Sequence, residues 1–338
     1  RAEQAVFGIL PLEDMPVKTN KKIDSLPPYY PWRSRYSMMK NFGIQPAADG
    51  SEGSFCNILT GTYNDLISTV YEPLRNSHPN YITRTSIGYD SSGTIEMFAY
   101  DFQPKYYQQH VYLQSCIHGN EPEAAASLAR IMYLIANAYN SNDDDLKFMR
   151  ENVRFTVIPV VNVWGISQEP KVRNTYNDGN TQQWGGDDIP QEMTNIKTYI
   201  DSNDLLREIS FMVDMHTTTS KNYSNFYGAL QRHSKNARTI FRVNAWLYDN
   251  FIPQRGVYHR EGYDLGYRET APYIFRMYYY KKGVETFTPE FTDYIWDGSS
   301  RCTSATQTVA VSMYLNYLIQ MVNDFYVSMF HVPDADYH

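Results

Sequence analysis

Three cysteines, no run of Lys or Arg and no long apolar stretch are what this chain of 338 residues offers against several function classes. Cys56, Cys116 and Cys302 match no zinc-knuckle or thioredoxin spacing, and an odd number leaves at least one unpaired within the chain. They say little about compartment. The net charge is -7, with no basic patch, which argues against nucleic acid as a partner because phosphate binding needs clustered cations. The longest apolar stretch, near Thr308 to Met321, is broken by Asn316 and Gln320 and is too short to span a bilayer, so it reads as a final amphipathic helix and no membrane partner is expected. An initiator Met and a basic-then-apolar signal are also missing. The chain begins Arg1-Ala2-Glu3, as a processed or excised piece would.

What is present suits one large α/β domain with an extension, or two modest domains, and one catalytic domain is the expectation. Residues 1–55, rich in Pro, Lys and Ser, read as an extended arm or linker docking on a domain over 56–338. Tyr63 to Tyr71 has helical spacing, and Ile87 to Gly93 reads as a turn between two strand-like runs. Strand Gln109 to Gln114, helix Pro122 to Ala138, a solvated acidic loop Asp143-Asp144-Asp145 and strand Arg154 to Val161 then alternate as in a parallel sheet with crossover helices. Residues 166–192 form a long polar loop, followed by helix Asn195 to Asn203, strand Ile209 to Asp214 and a helix over 234–251. The 30 tyrosines suit contacts with sugars or other extended polymers, and an extracytoplasmic or surface-associated setting is expected. Oligomeric state is not legible.

The chemistry starts at Ser115-Cys116-Ile117-His118-Gly119-Asn120-Glu121-Pro122, between the strand at 109–114 and the helix from Pro122. An imidazole and a carboxylate three residues apart can grip one divalent metal, and loops at strand ends are where α/β folds place chemistry. Alone the pair is weak: with eight histidines and ~10% odds of an acidic residue three positions on, about one match arises by accident. The bland alternative is a first-turn carboxylate meeting the helix dipole. Phe211 to His216, an apolar strand ending in a histidine, delivers a second imidazole to the same sheet edge. Two histidines and one carboxylate with an open fourth position is the arrangement of a catalytic zinc. Downstream, Gly283 to Phe291 reads as a strand carrying Glu285 and Glu290, either of which could accept a proton from activated water. Their odd offset points them to opposite faces unless Pro289 introduces a bulge.

The order His118-x-x-Glu121, Val161-Asn162-Val163-Trp164-Gly165, Asp214-x-His216 and Phe287-Thr288-Pro289-Glu290 resembles the zinc metallocarboxypeptidase superfamily, with its succinylglutamate desuccinylase and aspartoacylase branch, over roughly residues 60–325. The resemblance implies a single large α/β domain whose mixed, largely parallel central sheet is flanked by helices. It implies one Zn2+ per chain, held by His118, Glu121 and His216, with Glu290 as general base and Arg173 polarising the scissile carbonyl. Tyr267 would close over a peptide or peptide-like substrate, Asn180 would contact it, and Ile274 and Phe275 would line a side-chain pocket. Core packing is the plainer role for Phe275. Asp178, in the place of the family's Asp-x-Asn-Arg, would support His118 from behind.

Thr181 stands where a carboxypeptidase carries the arginine that holds a substrate's terminal carboxylate, and threonine has neither the charge nor the bidentate fork. Exopeptidase action does not follow, and endo- or exo-preference stays open. The desuccinylase-type alignment would choose Glu285 as base in place of Glu290. A second function class is a binding or structural module, adhesive or virion-associated, that keeps the hydrolase fold without turnover.

Overall fold

A computed structural model of the chain describes residues 61–181, 183–218, 225–228, 275–292, 311 and 314–322. The arm expected over 1–55 and the helix expected over 234–251 lie outside the described residues.

The first helix, α1, runs through Tyr63–Leu66, a π segment Ile67–Tyr71 and Glu72–Ser77. It opens on a capping box: the Thr62 hydroxyl accepts from Asp65 N and the Asp65 carboxylate accepts from Thr62 N at 2.7 Å. Strands β1 (Ile82–Tyr89) and β2 (Glu96–Phe102) form the expected hairpin. Its turn is held by the Asp90 carboxylate, which accepts from the backbone N–H groups of Thr94 and Ile95, both at 2.9 Å. Then come β3 (Gln109–Ser115), α2 (Pro122–Ala136), α3 (Asp144–Asn152), β4 (Val153–Ile158), a short α4 (Val163–Ile166), α5 (Gln191–Ser202), β5 (Ile209–Thr218) and β6 (Asn225–Gly228). Helix α6 (Phe275–Tyr280) leads into β7 (Glu285–Thr292), and residues 314–322 are helical, inside the final helix read from the sequence.

Among the described residues the strands make one mixed sheet in the order β1-β2-β4-β3-β5-β7-β6. The four central strands β4, β3, β5 and β7 are parallel, and the pairings outside them are antiparallel. All four central strands therefore end at one edge of the sheet, which is where an open α/β sheet presents its loops.

Two local expectations need correcting. The acidic triplet is not a solvated loop: Asp143 caps α3, its carboxylate accepting from Asp145 N and Leu146 N, and Asp144 and Asp145 fill the first turn, where negative charge meets the helix dipole. Strand β3 alternates in sequence as a half-buried strand does, yet every residue of it is buried. Its polar side chains find partners inside the protein, Gln109 Nε2 donating to Val322 O at 2.7 Å and His110 Nε2 lying 2.8 Å from Thr156 Oγ1, while Gln109 Oε1 and His110 Nδ1 make no hydrogen bond among the described residues. No helix among the described residues is long and apolar enough to cross a membrane.

Candidate metal centre

Strand β3 ends at Ser115, and Cys116 takes a left-handed backbone, φ +53°, that turns the chain away from the sheet. The turn is tied to the end of β4, because Ser115 O and Cys116 O accept from Val161 N and Asn162 N at 2.9 and 3.1 Å. The Cys116 thiol is buried and donates to His118 O at 3.2 Å, and burial pushes its pKa well above the usual thiol range, as suits a small structural hydrophobe.

Glu121 stands at the N-cap of α2, but its side chain makes no capping bond. Its carboxylate faces two imidazoles instead, with Oε1 2.6 Å from His118 Nδ1 and Oε2 3.1 Å from His216 Nδ1, while Oε2 also accepts from Thr217 N at 3.3 Å. One ligand atom from each of the three residues lies within 4.8 Å of the others, and all three residues are buried. The imidazole centroids are 5.0 Å apart and nearly perpendicular. Two ring nitrogens and a carboxylate converging near two strand ends fit a single metal ion.

The charges in this cluster are mutually adjusted. Burial opposes ionisation of Glu121, but His216 and His118 outweigh it and hold the carboxyl down at about 2. Burial likewise opposes charge on His216, and the carboxylates of Asp214 and Glu121 more than reverse that, raising its pKa well above the ordinary value. His118 goes the other way, lowered by burial with help from the nearby cations.

The outer nitrogens of the two rings meet opposite partners. His216 Nε2 lies 2.7 Å from Asp214 Oδ2, whereas His118 Nε2 lies 2.8 Å from Arg173 Nη2, a group that can only donate. Arg173 is placed by its backbone, since its carbonyl accepts from Gly119 N at 3.1 Å and from Asn162 Nδ2 at 2.9 Å. Gly119 and Gly165 make that approach possible: a Cβ on either would come within 2.3 Å of Val172 O.

Strand β7 pairs with β5 in parallel, and one register runs from Phe211–Glu285 to His216–Glu290 without a shift. Pro289 therefore introduces no bulge. Glu290 shares a face with His216, and Glu285 points to the other face beside Phe211, five residues back along the strand. Burial raises the Glu290 pKa, the nearby His216 opposing and Glu121 adding to the rise.

Other residues singled out from the sequence fall elsewhere. Asp178 is exposed on a turn with φ +58°, no hydrogen bond joins it to His118, and the carboxylate that does meet an outer imidazole nitrogen is Asp214, on the other histidine. Asn180 is exposed, its carbonyl accepting from Gln183 N at 3.0 Å. Phe275 is 2% exposed and packs among Tyr112, Trp184 and Tyr279. Thr181 is buried. Tyr267 and Ile274 lie outside the described residues.

Four parallel strands between antiparallel edges, with a His-x-x-Glu loop after one strand and a histidine at the end of its neighbour, make this the fold of the zinc metallocarboxypeptidases. Solved structures similar to it include a metallo-carboxypeptidase from Burkholderia cenocepacia (14% identity, TM-score 0.57, covering 75% of this chain and 69% of that one). Thrombin activatable fibrinolysis inhibitor is similar at 14% identity and TM-score 0.61, over 80% of this chain and 77% of that one. The carboxypeptidase A of Helicoverpa armigera is similar at 13% identity and TM-score 0.55, over 80% and 74%. No family model matches the chain, and no curated protein matches it in sequence.

Proposed function

We propose that the chain is a zinc-dependent hydrolase of peptide or peptide-like amides, with His118, Glu121 and His216 as ligands and Glu290 as general base. The observation that carries this is the register of β5 and β7, which sets a half-buried carboxylate beside a ligand imidazole on the face where the ligands converge. Zinc, when bound, supplies Lewis acidity that makes a water nucleophilic near neutral pH. Glu290 accepts that water's proton and returns it to the leaving amine, and its raised pKa suits a group that must do both. Arg173, half exposed beside His118, supplies donors for the charge that develops on the carbonyl oxygen. A peptide-like ligand is in keeping with similar proteins, one of which, bovine thrombin-activatable fibrinolysis inhibitor, is seen in complex with tick carboxypeptidase inhibitor. Thr181 is threonine and buried, so capture of a free terminal carboxylate there is not part of the proposal.

Metal analysis with amide-hydrolysis assays tests the reading. One zinc per chain is expected, lost in His118→Ala and His216→Ala and kept in Glu290→Gln, whose turnover should drop by about 10²–10⁴-fold. Glu285→Gln should be near wild type; loss of activity there, with Glu290→Gln active, would transfer the role of base to Glu285. Full metal occupancy after removal of His216 would sink the ligand set. Stoichiometric zinc without turnover on any amide would favour a binding module.

A further inference from the structure

A row of buried polar side chains runs across the sheet away from the metal centre. In the β3–β5 ladder Gln114 is the register partner of Asp214, and two residues along each strand, on the same face, stand Tyr112 and His216. The Tyr112 hydroxyl donates to Gln114 Oε1 at 2.8 Å, which fixes the amide so that Nε2 donates to Asp214 Oδ1 at 3.0 Å. The other oxygen of Asp214 is left for His216 Nε2, 2.7 Å away. Tyr112, Gln114 and Asp214 are each no more than 2% exposed, so no water competes for these bonds.

From this row we infer that Asp214, held by Gln114 and Tyr112, is the positioning residue of the metal centre: it holds the ring of His216 by Nε2, so that Nδ1 is the nitrogen turned toward the metal position. The outer nitrogen of His118 faces the guanidinium of Arg173. With Arg173 donating to its Nε2, its hydrogen sits on Nδ1 against Glu121, and it must change tautomer before that nitrogen can ligate. The two imidazoles thus differ in what meets their outer nitrogens, a carboxylate behind His216 and a guanidinium against His118. A carboxylate behind a ligand histidine fixes ring orientation and raises ligand basicity, and its loss costs about 10–100-fold in metal affinity. Gln114 touches neither the ligands nor the metal position, and acts only through Asp214.

The inference rests on the zinc reading proposed above, and competition titration of the metal-free full chain against a chromophoric chelator separates the two. His118→Ala and His216→Ala test the ligand set; Asp214→Asn, Gln114→Ala and their double variant test the row. Asp214→Asn should weaken zinc binding about 10–100-fold and shift the visible absorption of the cobalt-loaded protein, a signature of ligand orientation that mere loosening of the core would not produce. Gln114→Ala should weaken it less, and the double variant should bind no worse than Asp214→Asn alone, because Gln114 has no route to the metal except through Asp214. If both histidine variants lose zinc while Asp214→Asn binds as wild type, the inference fails and the metal site survives. If the histidine variants keep zinc, the site itself fails. Additive losses in the double variant overturn the chain from Gln114, and if Asp214→Asn does not fold, unchanged zinc affinity in Gln114→Ala overturns the inference by itself.

Discussion

The guanidinium of Arg173 makes its closest side-chain contact with a ligand imidazole while half of it stays in solvent, so it can reach a substrate without being needed to build the site. Arg173→Ala should therefore retain zinc and lose about 10²–10³-fold in kcat/KM, with Arg173→Lys recovering part of the loss, as paired metal analysis and kinetics would show. At this scale the cluster that could hold a metal was legible because each member announces itself locally: His118 and Glu121 share one loop, and His216 stands near the end of an apolar strand. The support behind them was not. Asp214 sits two residues from His216 in plain view, but its hold on the ring depends on Gln114, whose position a hundred residues earlier becomes adjacent only when β3 pairs with β5. Asp178 drew attention by its place in a sequence pattern, and a left-handed turn carries it out to solvent.

Among the elements, the loop from Gly165 to Arg173 is the one whose backbone must be placed most closely. Asn162 caps α4 by accepting from Gly165 N at 2.8 Å, and its amide donates to Arg173 O, so one side chain fixes both ends of the segment. Gly165→Ala would set a methyl 2.3 Å from Val172 O and 2.5 Å from Asn162 Nδ2, and both residues are tied in place, Val172 by its N–H donating to Gly165 O and Asn162 by its amide donating to Arg173 O. Expected are a loss of about 1–3 kcal/mol in denaturant unfolding and a fall in kcat/KM resembling that of Arg173→Ala, as the shifted loop carries the guanidinium away. The alternation of strands and helices was readable from period and punctuation, including β5, β7 and the final helix. The start of α3 was not, because three consecutive aspartates resemble a solvated loop until the first of them caps a helix.

Across the whole molecule, the far edge of the sheet carries a second polar cluster that binds strands together. Arg154 pairs with Asp101 at 3.0 Å and Glu208 at 2.9 Å, Tyr107 and Tyr199 donate to Glu208 and Asp101, and the buried His110 lies between Glu208 and Thr156. Burial, with Arg154 adding to it and the neighbouring carboxylates opposing, lowers the His110 pKa. A histidine whose native pKa lies below its unfolded value of about 6.5 costs nothing above that pH; as pH falls below it the unfolded chain takes the proton first, so stability declines until the native pKa is reached. Urea midpoints should accordingly drop between pH 7 and 5, and less steeply in His110→Asn. The α/β class was legible in the sequence because many strands and helices report it independently, whereas a cluster assembled from four separate elements and two connecting segments has no local signature.

The unshifted register between β5 and β7 has a further consequence. The proposed ligands lie on β5 and on the loop into α2, whereas Glu290 arrives on a strand whose alignment is set separately. A slip of one residue in β7 would turn Glu290 to the opposite face and bring Pro289 or Phe291 beside His216. If the proposed zinc chemistry holds, such a molecule would fill with zinc and stay silent, and activity counted per bound zinc would measure the fidelity of strand pairing.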